Sequence, residues 1–161
     1  MGANNLQVDK NKKTVSMERI FDAPRELVWK AHTTPELIQQ WWGTDDSEMV
    51  VDKMDVREGG EWRFVNKIKG QVYAFHGEFK EIVEPEKITW TFNFEPIGPG
   101  HELTETIRFE ETVDGQTKIS TTSHFLTIED LEGMMSQGME SGATQSWNRL
   151  EKLLQGMKET N

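Results

Sequence analysis

Cysteine is absent from this chain of 161 residues. Without thiols there is no disulfide framework, no thiolate metal site and no cysteine nucleophile, and only His, Asp and Glu are left as conventional metal ligands. The histidines show no His-X-His or His-Glu-X-X-His spacing; they are His32, His76, His101 and His124. We therefore expect no metal site and no bound cofactor.

Basic side chains are also scarce. The 18 Lys and Arg residues face 28 Asp and Glu residues, which gives a net charge of -10. Such an excess of negative charge repels nucleic-acid phosphates and anionic lipid surfaces. The one basic cluster, Lys10, Lys12 and Lys13, lies near the beginning of the chain. We therefore expect no binding to nucleic acid.

Long apolar runs are missing too. No stretch approaches the roughly 20 residues that a helix needs to cross a bilayer. Residues 1–13 lack the apolar centre of a signal peptide. These features predict a cytoplasmic protein without membrane insertion.

The length suits one packed core. Only Leu6 and Val8 are sizeable apolar side chains within residues 1–13, too few to offset the entropy of ordering that segment. We expect a disordered tail over residues 1–13 and a single domain over residues 14–158.

The spacing of apolar residues divides the rest of the chain into strand-like and helix-like regions. Residues 14–21 alternate like a strand, and Pro24 and Pro35 each favour the start of a short helix, the second reaching Trp42 and ending at Gly43. Residues 48–125 show five or six strand-like runs separated by turn signals such as Asp114-Gly115.

A long amphipathic helix is predicted from Thr127 to Met157, with Thr127 as its N-cap. Glycines 133, 138 and 142 interrupt the bulk of its first half. Each costs about 1 kcal/mol relative to Ala, so we expect a bend, close packing or open space there.

One face of the predicted sheet is rich in aromatic residues, and the long helix must cover it. We hypothesise that the first half of this helix roofs an apolar cavity and that its second half, Trp147 to Leu154, seals the core. The candidate ligand-binding residues combine rigid aromatic rings with adaptable methionines. They are Trp41, Trp42, Met54, Phe64, Tyr73, Phe75, Trp90, Phe92, Met135 and Met139.

Several motifs resemble those of one family, the homologues of the activator of heat-shock-protein-90 ATPase, within the START-like SRPBCC superfamily. The resemblance extends over about residues 14–156. It rests on Phe21-Asp22-Ala23-Pro24, Thr33-Thr34-Pro35-Glu36-Leu37, Trp41-Trp42-Gly43, Asp55-Val56-Arg57-Glu58-Gly59-Gly60, Gly77-Glu78-Phe79-Lys80 and Gly138-Met139-Glu140-Ser141-Gly142. It implies an α+β helix-grip (START- or Bet v-like) fold, in which a curved antiparallel sheet wraps a long C-terminal helix and two short helices follow the first strand.

The chain departs from the family pattern at one place. The family has an aromatic residue just after the glycine at position 142 and a leucine four residues later, whereas this chain has Ala143 and Trp147. The large aromatic side chain thus lies one helical turn later than in the family, and the small Ala143 side chain leaves more room around its own position.

The resemblance leaves three functions open, because one fold supports many activities. The leading interpretation is a non-enzymatic protein, a monomer or weak homodimer, that sequesters or presents a small hydrophobic ligand, aromatic or lipid-like. The second is a cyclase-like or hydrolase-like enzyme, with His76, Glu78, Tyr73 or Glu105 as acid or base; by alternation His76 points away from the aromatic face. The third is a co-chaperone-like module that stimulates a chaperone ATPase. No catalytic residue is assigned.

Overall fold

The computed structural model describes residues 4–160. Within this range, eight antiparallel strands form one sheet in the order β1-β2-β8-β7-β6-β5-β4-β3. The strands are β1 Asn5–Asp9, β2 Thr14–Phe21, β3 Ser47–Met54, β4 Glu61–Ile68, β5 Gln71–Val83, β6 Lys87–Phe94, β7 Leu103–Glu111 and β8 Thr117–His124.

The described part of the chain also contains four α-helices, and a short 3-10 helix, Glu95–Ile97, follows β6. The α-helices are α1 Arg25–Thr33, α2 Pro35–Ile38, α3 Ile128–Ser136 and α4 Met139–Thr160. The two short helices α1 and α2 lie between β2 and β3, and α4 is the long C-terminal helix. The α+β helix-grip architecture that the sequence predicts is confirmed.

The sheet curves because its pairing is interrupted. The register shifts between Val51 and Lys53 on β3 and between Phe79 and Glu81 on β5, and such bulges bend and twist a strand. Gly77 allows a further close approach, because a Cβ there would lie 1.9 Å from the Thr91 carbonyl oxygen of β6.

The concave face holds the core. Trp62, Phe64 and Phe79 from the sheet are almost fully buried, and Leu150 and Leu154 of α4 belong to the same apolar cluster. The second half of the last helix therefore packs on the sheet, as the sequence predicts.

The predicted disordered tail is wrong for Asn5–Asp9, which form β1 and pair with β2 over five residues. Main-chain hydrogen bonds between strands do not depend on apolar side chains, and Leu6 also packs against the core. Residues 1–3 of that tail lie outside the described part of the chain.

Two helix predictions also need correction. The predicted continuous helix from Thr127 to Met157 is broken between α3 and α4, because Gly138 adopts a left-handed backbone with φ of 86°. The second short helix ends at Ile38, so Trp41 and Trp42 lie in the turn that follows it. Thr127 does cap α3, since its hydroxyl accepts a hydrogen bond from the Asp130 amide.

Candidate ligand-binding cavity

A cavity of about 320 Å³ lies between the concave face of the sheet and the first turns of α4. This volume is at the lower end of the range found for small-molecule sites. Its aromatic wall comes from the turn after α2, from β5 and β6, and from α4. The rings are Trp41, Trp42, Phe75, Trp90, Phe92 and Trp147.

Trp42 is a half-buried ring of this wall. It meets Phe64 and Phe75 edge to face, with ring centroids 5.1 and 5.2 Å apart. The Trp41 ring is fixed to α1, because its indole Nε1 donates a hydrogen bond to the Ala31 carbonyl oxygen at 2.9 Å. These contacts hold both rings in place, which limits the entropy lost on binding a ligand.

Hydrogen bonds join the turn after α2, which borders the cavity, to α4, which covers it. The Ser146 hydroxyl on α4 donates to the Gly43 carbonyl oxygen at 2.7 Å and accepts from the Gly43 amide at 2.9 Å. One turn further on, Arg149 donates to the Thr44 carbonyl oxygen at 2.8 Å. The turn that carries Trp41 and Trp42 is thereby fixed against α4.

Glu105 supplies a carboxyl group to the cavity wall. It lies on β7 between the inward-facing Leu103 and Ile107. Its Oε1 accepts a hydrogen bond from the Trp90 indole at 2.8 Å, and its Oε2 accepts from the Ser123 hydroxyl at 3.5 Å. Burial raises the pKa of this carboxyl above its ordinary value, and the two hydrogen bonds oppose that shift only in part.

His32 of α1 also reaches the wall, although only 5% of it is exposed. Burial lowers the pKa of the imidazole to about 4, so the ring is neutral at physiological pH. Nδ1 lies 2.9 Å from the Val28 carbonyl oxygen. A carbonyl oxygen only accepts, so Nδ1 carries the proton and Nε2 carries the free lone pair.

Asn66 contributes an unpaired acceptor. This residue is 5% exposed, faces inward from β4 and lines the cavity. Among the residues that the structure describes, its Oδ1 has no hydrogen-bond partner. A buried polar atom without a partner is costly, and a hydrogen-bond donor on a ligand would satisfy it.

The structure brings six of the ten predicted ligand-binding residues together at the cavity wall. They are Trp41, Trp42, Phe75, Trp90, Phe92 and Met139.

The other four predicted residues lie elsewhere on or near the core. Phe64 is fully buried beneath Trp42, and Met54 packs against the main core cluster. Tyr73 stacks on Phe94. Met135 packs against a second, smaller cluster below α3, so the cavity is roofed by the first turns of α4 and not by α3.

Sequence reasoning left several wall residues off its list of binding residues. They include Met17, His32, Asn66, Glu105, Thr121, Ala143 and Trp147. The alternation of β4 and β7 does place Asn66 and Glu105 on the inward face, beside Phe64 and Ile107. Alternation could therefore have identified both residues, but the sequence prediction assigned ligand binding only to aromatic residues and methionines.

Of the four predicted acid or base groups, Glu105 alone is among the residues that line this cavity. His76 lies on the outer face of the sheet, as alternation predicts, with Nδ1 2.9 Å from a Glu95 carboxylate oxygen. Glu78 is exposed and pairs with Lys80.

Residues 4–160 show neither a metal-binding cluster nor a helix suited to crossing a membrane. No group of three or more His, Asp or Glu side chains is placed to hold a metal ion. No helix within this range combines the length and the apolar character that crossing a bilayer requires.

Solved structures of similar fold come from several bacteria. Protein Ms6760 from Mycobacterium smegmatis is 24% identical, with 93% of this chain and 95% of that chain covered and a TM-score of 0.84. A protein from Arthrobacter aurescens is 20% identical, with 94% and 91% covered and a TM-score of 0.87. A protein from Staphylococcus epidermidis is 26% identical, with 94% of each chain covered and a TM-score of 0.78.

A search of curated proteins gave no match. The family model described as "Activator of Hsp90 ATPase homolog 1-like protein" matches residues 22–155. This range includes α1, the strands from β3 to β8 and most of α4. The chain therefore belongs to the family of activator of Hsp90 ATPase homolog 1-like proteins.

Proposed function

We propose that this protein binds a small apolar ligand, aromatic or lipid-like, in the cavity beneath α4 and does not transform it. The observation that carries the proposal is the 320 Å³ space between sheet and helix, with six aromatic rings in its wall. Rigid aromatic surfaces around a concave volume are typical of small-molecule sites.

The expected affinity follows from the area that a ligand can bury. Burial of roughly 200 Å² of ligand surface at about 25 cal/mol per Å² gives about 5 kcal/mol. Burial of the cavity wall adds to this value, and the loss of translational and rotational freedom subtracts from it. We therefore expect dissociation constants between about 1 µM and 1 mM for aromatic compounds of two rings.

The test uses N-phenyl-naphthylamine, an uncharged dye that fluoresces in apolar surroundings. Titration of the folded protein should give a saturable signal with one site, and naphthylmethanol should displace the dye. Absence of saturable binding would overturn the proposal.

A pair of variants on α4 locates the site. Ala143 lines the cavity, whereas Ser141 is exposed on the same helix. Ala143→Phe should weaken dye binding by about tenfold or more, because the ring occupies the ligand's space. Ser141→Phe adds the same bulk outside the cavity and should change the affinity less than twofold. Equal affinities in the two variants would place the dye elsewhere.

One observation favours a second candidate function. Glu105 combines a place at the cavity wall with a pKa raised by burial, and a raised pKa is the direction that suits a carboxyl group acting as a proton donor in acid-base catalysis. The test is turnover of polycyclic substrates by the wild type and by Glu105→Gln. Turnover that disappears in the variant would establish the enzyme and overturn simple binding.

A further inference from the structure

Several polar donors around the cavity are already in use, and some acceptors there are still open. The Trp41 and Trp90 indoles donate to the Ala31 carbonyl and to Glu105. The hydroxyls are also engaged with protein oxygens: Thr44 donates to Asp46, Thr121 to the Met17 carbonyl and Ser146 to the Gly43 carbonyl.

Three acceptors remain for a ligand. They are the unpaired Oδ1 of Asn66, the lone pair on Nε2 of His32 that the Nδ1 contact leaves, and the further lone pairs of the Glu105 carboxyl group. The Glu105 acceptor, bonded to the Trp90 indole in the wall, suits a ligand whose polar end donates hydrogen bonds.

The charges around the cavity favour the same kind of ligand. Among the described residues, no Lys or Arg lines the wall, and Glu105 is the one acidic residue that does. The nearest inward-facing cation of β2, Arg19, is bonded to Asn148 and Glu151 of α4 and is not part of the wall. An anionic ligand would therefore meet no cationic partner, whereas a cation would meet an uncompensated carboxyl group.

Aromatic rings add to the attraction. A cation within about 6 Å of an indole face is stabilised by the ring's quadrupole, most strongly where the site is desolvated. Trp41, Trp42 and Trp90 all belong to the wall that contains Glu105. Their apolar area also accommodates the uncharged body of the ligand.

We propose that the ligand of this cavity is an organic amine, with its ammonium group bound by Glu105 and its aromatic body against the tryptophan rings. This inference rests on the proposed binding function and specifies the class of ligand. Binding transfers no group and breaks no carbon bond; any Glu105 carboxyl that holds a proton releases it to solvent as the ion pair forms.

The test compares three probes of one shape by isothermal titration calorimetry. Naphthylmethylamine is a cation at neutral pH, naphthylmethanol is neutral and naphthoate is an anion. The amine should bind about tenfold or more tightly than the alcohol, and naphthoate should bind most weakly. Equal affinities of amine and alcohol, or a preference for naphthoate, would overturn the inference.

Glu105→Gln removes the charge and keeps an oxygen that accepts from the Trp90 indole. The ratio of amine affinity to alcohol affinity should fall towards one in this variant. The matched control is Glu110→Gln, on the same strand but exposed and close to Lys118, which should keep the wild-type ratio. An unchanged ratio in Glu105→Gln would contradict the role of this carboxyl.

Proton release gives a second readout. Because burial raises the pKa of Glu105, calorimetry in two buffers with different ionisation enthalpies, repeated at successively lower pH, should show more proton release on amine binding by the wild type than by Glu105→Gln. The other titratable group at the wall is His32, which is already neutral above its pKa of about 4; Arg19 and Glu151 are paired with each other away from the wall. Equal proton release by the two proteins would exclude Glu105 as the source.

The two proposals fail in different ways. If naphthylmethanol binds in the cavity and the amine binds no better, the binding function stands and the amine preference is wrong. If none of the three probes binds and N-phenyl-naphthylamine gives no saturable signal, both proposals are wrong.

Discussion

Acidification should destabilise the folded protein through His32. Burial lowers the pKa of this imidazole from 6.5 to about 4, so the unfolded chain takes up a proton that the folded chain resists. The stability that this group contributes is therefore fully present above the unfolded pKa of 6.5 and is lost as the pH falls through the folded pKa of about 4. Relative to neutral pH, the loss should be about 2 kcal/mol at about pH 5 and about 3 kcal/mol at about pH 4.

The assay is urea unfolding of the wild type and of His32→Phe across this pH range. A phenyl ring keeps the packing against Trp41 and Phe109, whose ring centroids lie 4.8 and 4.9 Å from that of His32. Loss of the hydrogen bond to Val28 adds only an offset that does not vary with pH. The difference in unfolding free energy between the two proteins isolates His32 from the carboxylates that titrate in both.

The control is His124→Gln, because the His124 side chain is exposed. This variant should follow the wild-type pH dependence. The reasoning is refuted if wild type and His32→Phe lose stability in parallel between neutral pH and pH 4, since the imidazole would then titrate equally in folded and unfolded chains.

Urea unfolding also checks four further substitutions. Gly77→Ala places a Cβ 1.9 Å from the Thr91 carbonyl oxygen and should cost at least about 3 kcal/mol; a near-neutral effect would mean that β5 and β6 separate freely. Gly133→Ala meets nothing within 4 Å on α3 and should stabilise by about 0.5–1 kcal/mol; a destabilising effect would contradict this. Thr127→Ala removes the N-cap hydrogen bond from the Asp130 amide and should lower the free energy of unfolding by about 1 kcal/mol. Unchanged stability would show that this cap is unimportant. Leu150→Ala, at a fully buried position, should cost about 2–5 kcal/mol; a loss below about 1 kcal/mol would show that α4 packs loosely on the sheet.

Much of the fold could be predicted because its strands and turns have strong local signals. The alternation through β4 to β8 assigns the inward aromatic residues, and Asp114-Gly115 marks the hairpin between β7 and β8. Strand β1 could not be predicted in this way, because its stability comes from main-chain pairing with β2. The interruption between α3 and α4 at Gly138 could not be predicted either, because a glycine within a helical pattern is compatible with either a bend in the helix or the end of the helix.

The candidate cavity could be predicted only in part, because alternation gives the face of a residue and not its position relative to the helix. Phe64 and Asn66 share the inward face of β4, but α4 and Trp42 leave the first in the core and the second at the cavity wall. The same limit applies to Met135, which α3 directs to the second core cluster. Whether an inward-facing residue lies in the core or at the cavity wall depends on how α4 crosses the sheet, and no local sequence pattern determines that crossing.

The central claim is that a guest molecule lodges between the sheet and the first turns of α4. The most direct measurement is a set of intermolecular nuclear Overhauser effects between the naphthyl protons of bound naphthylmethylamine and the methyl groups of the protein. The account predicts contacts to the methyl groups of Ala143 and Met139, which line the cavity, and none to Val50, which is 55% exposed. Contacts to Val50 without contacts to Ala143, or no contacts at saturating ligand, would contradict it.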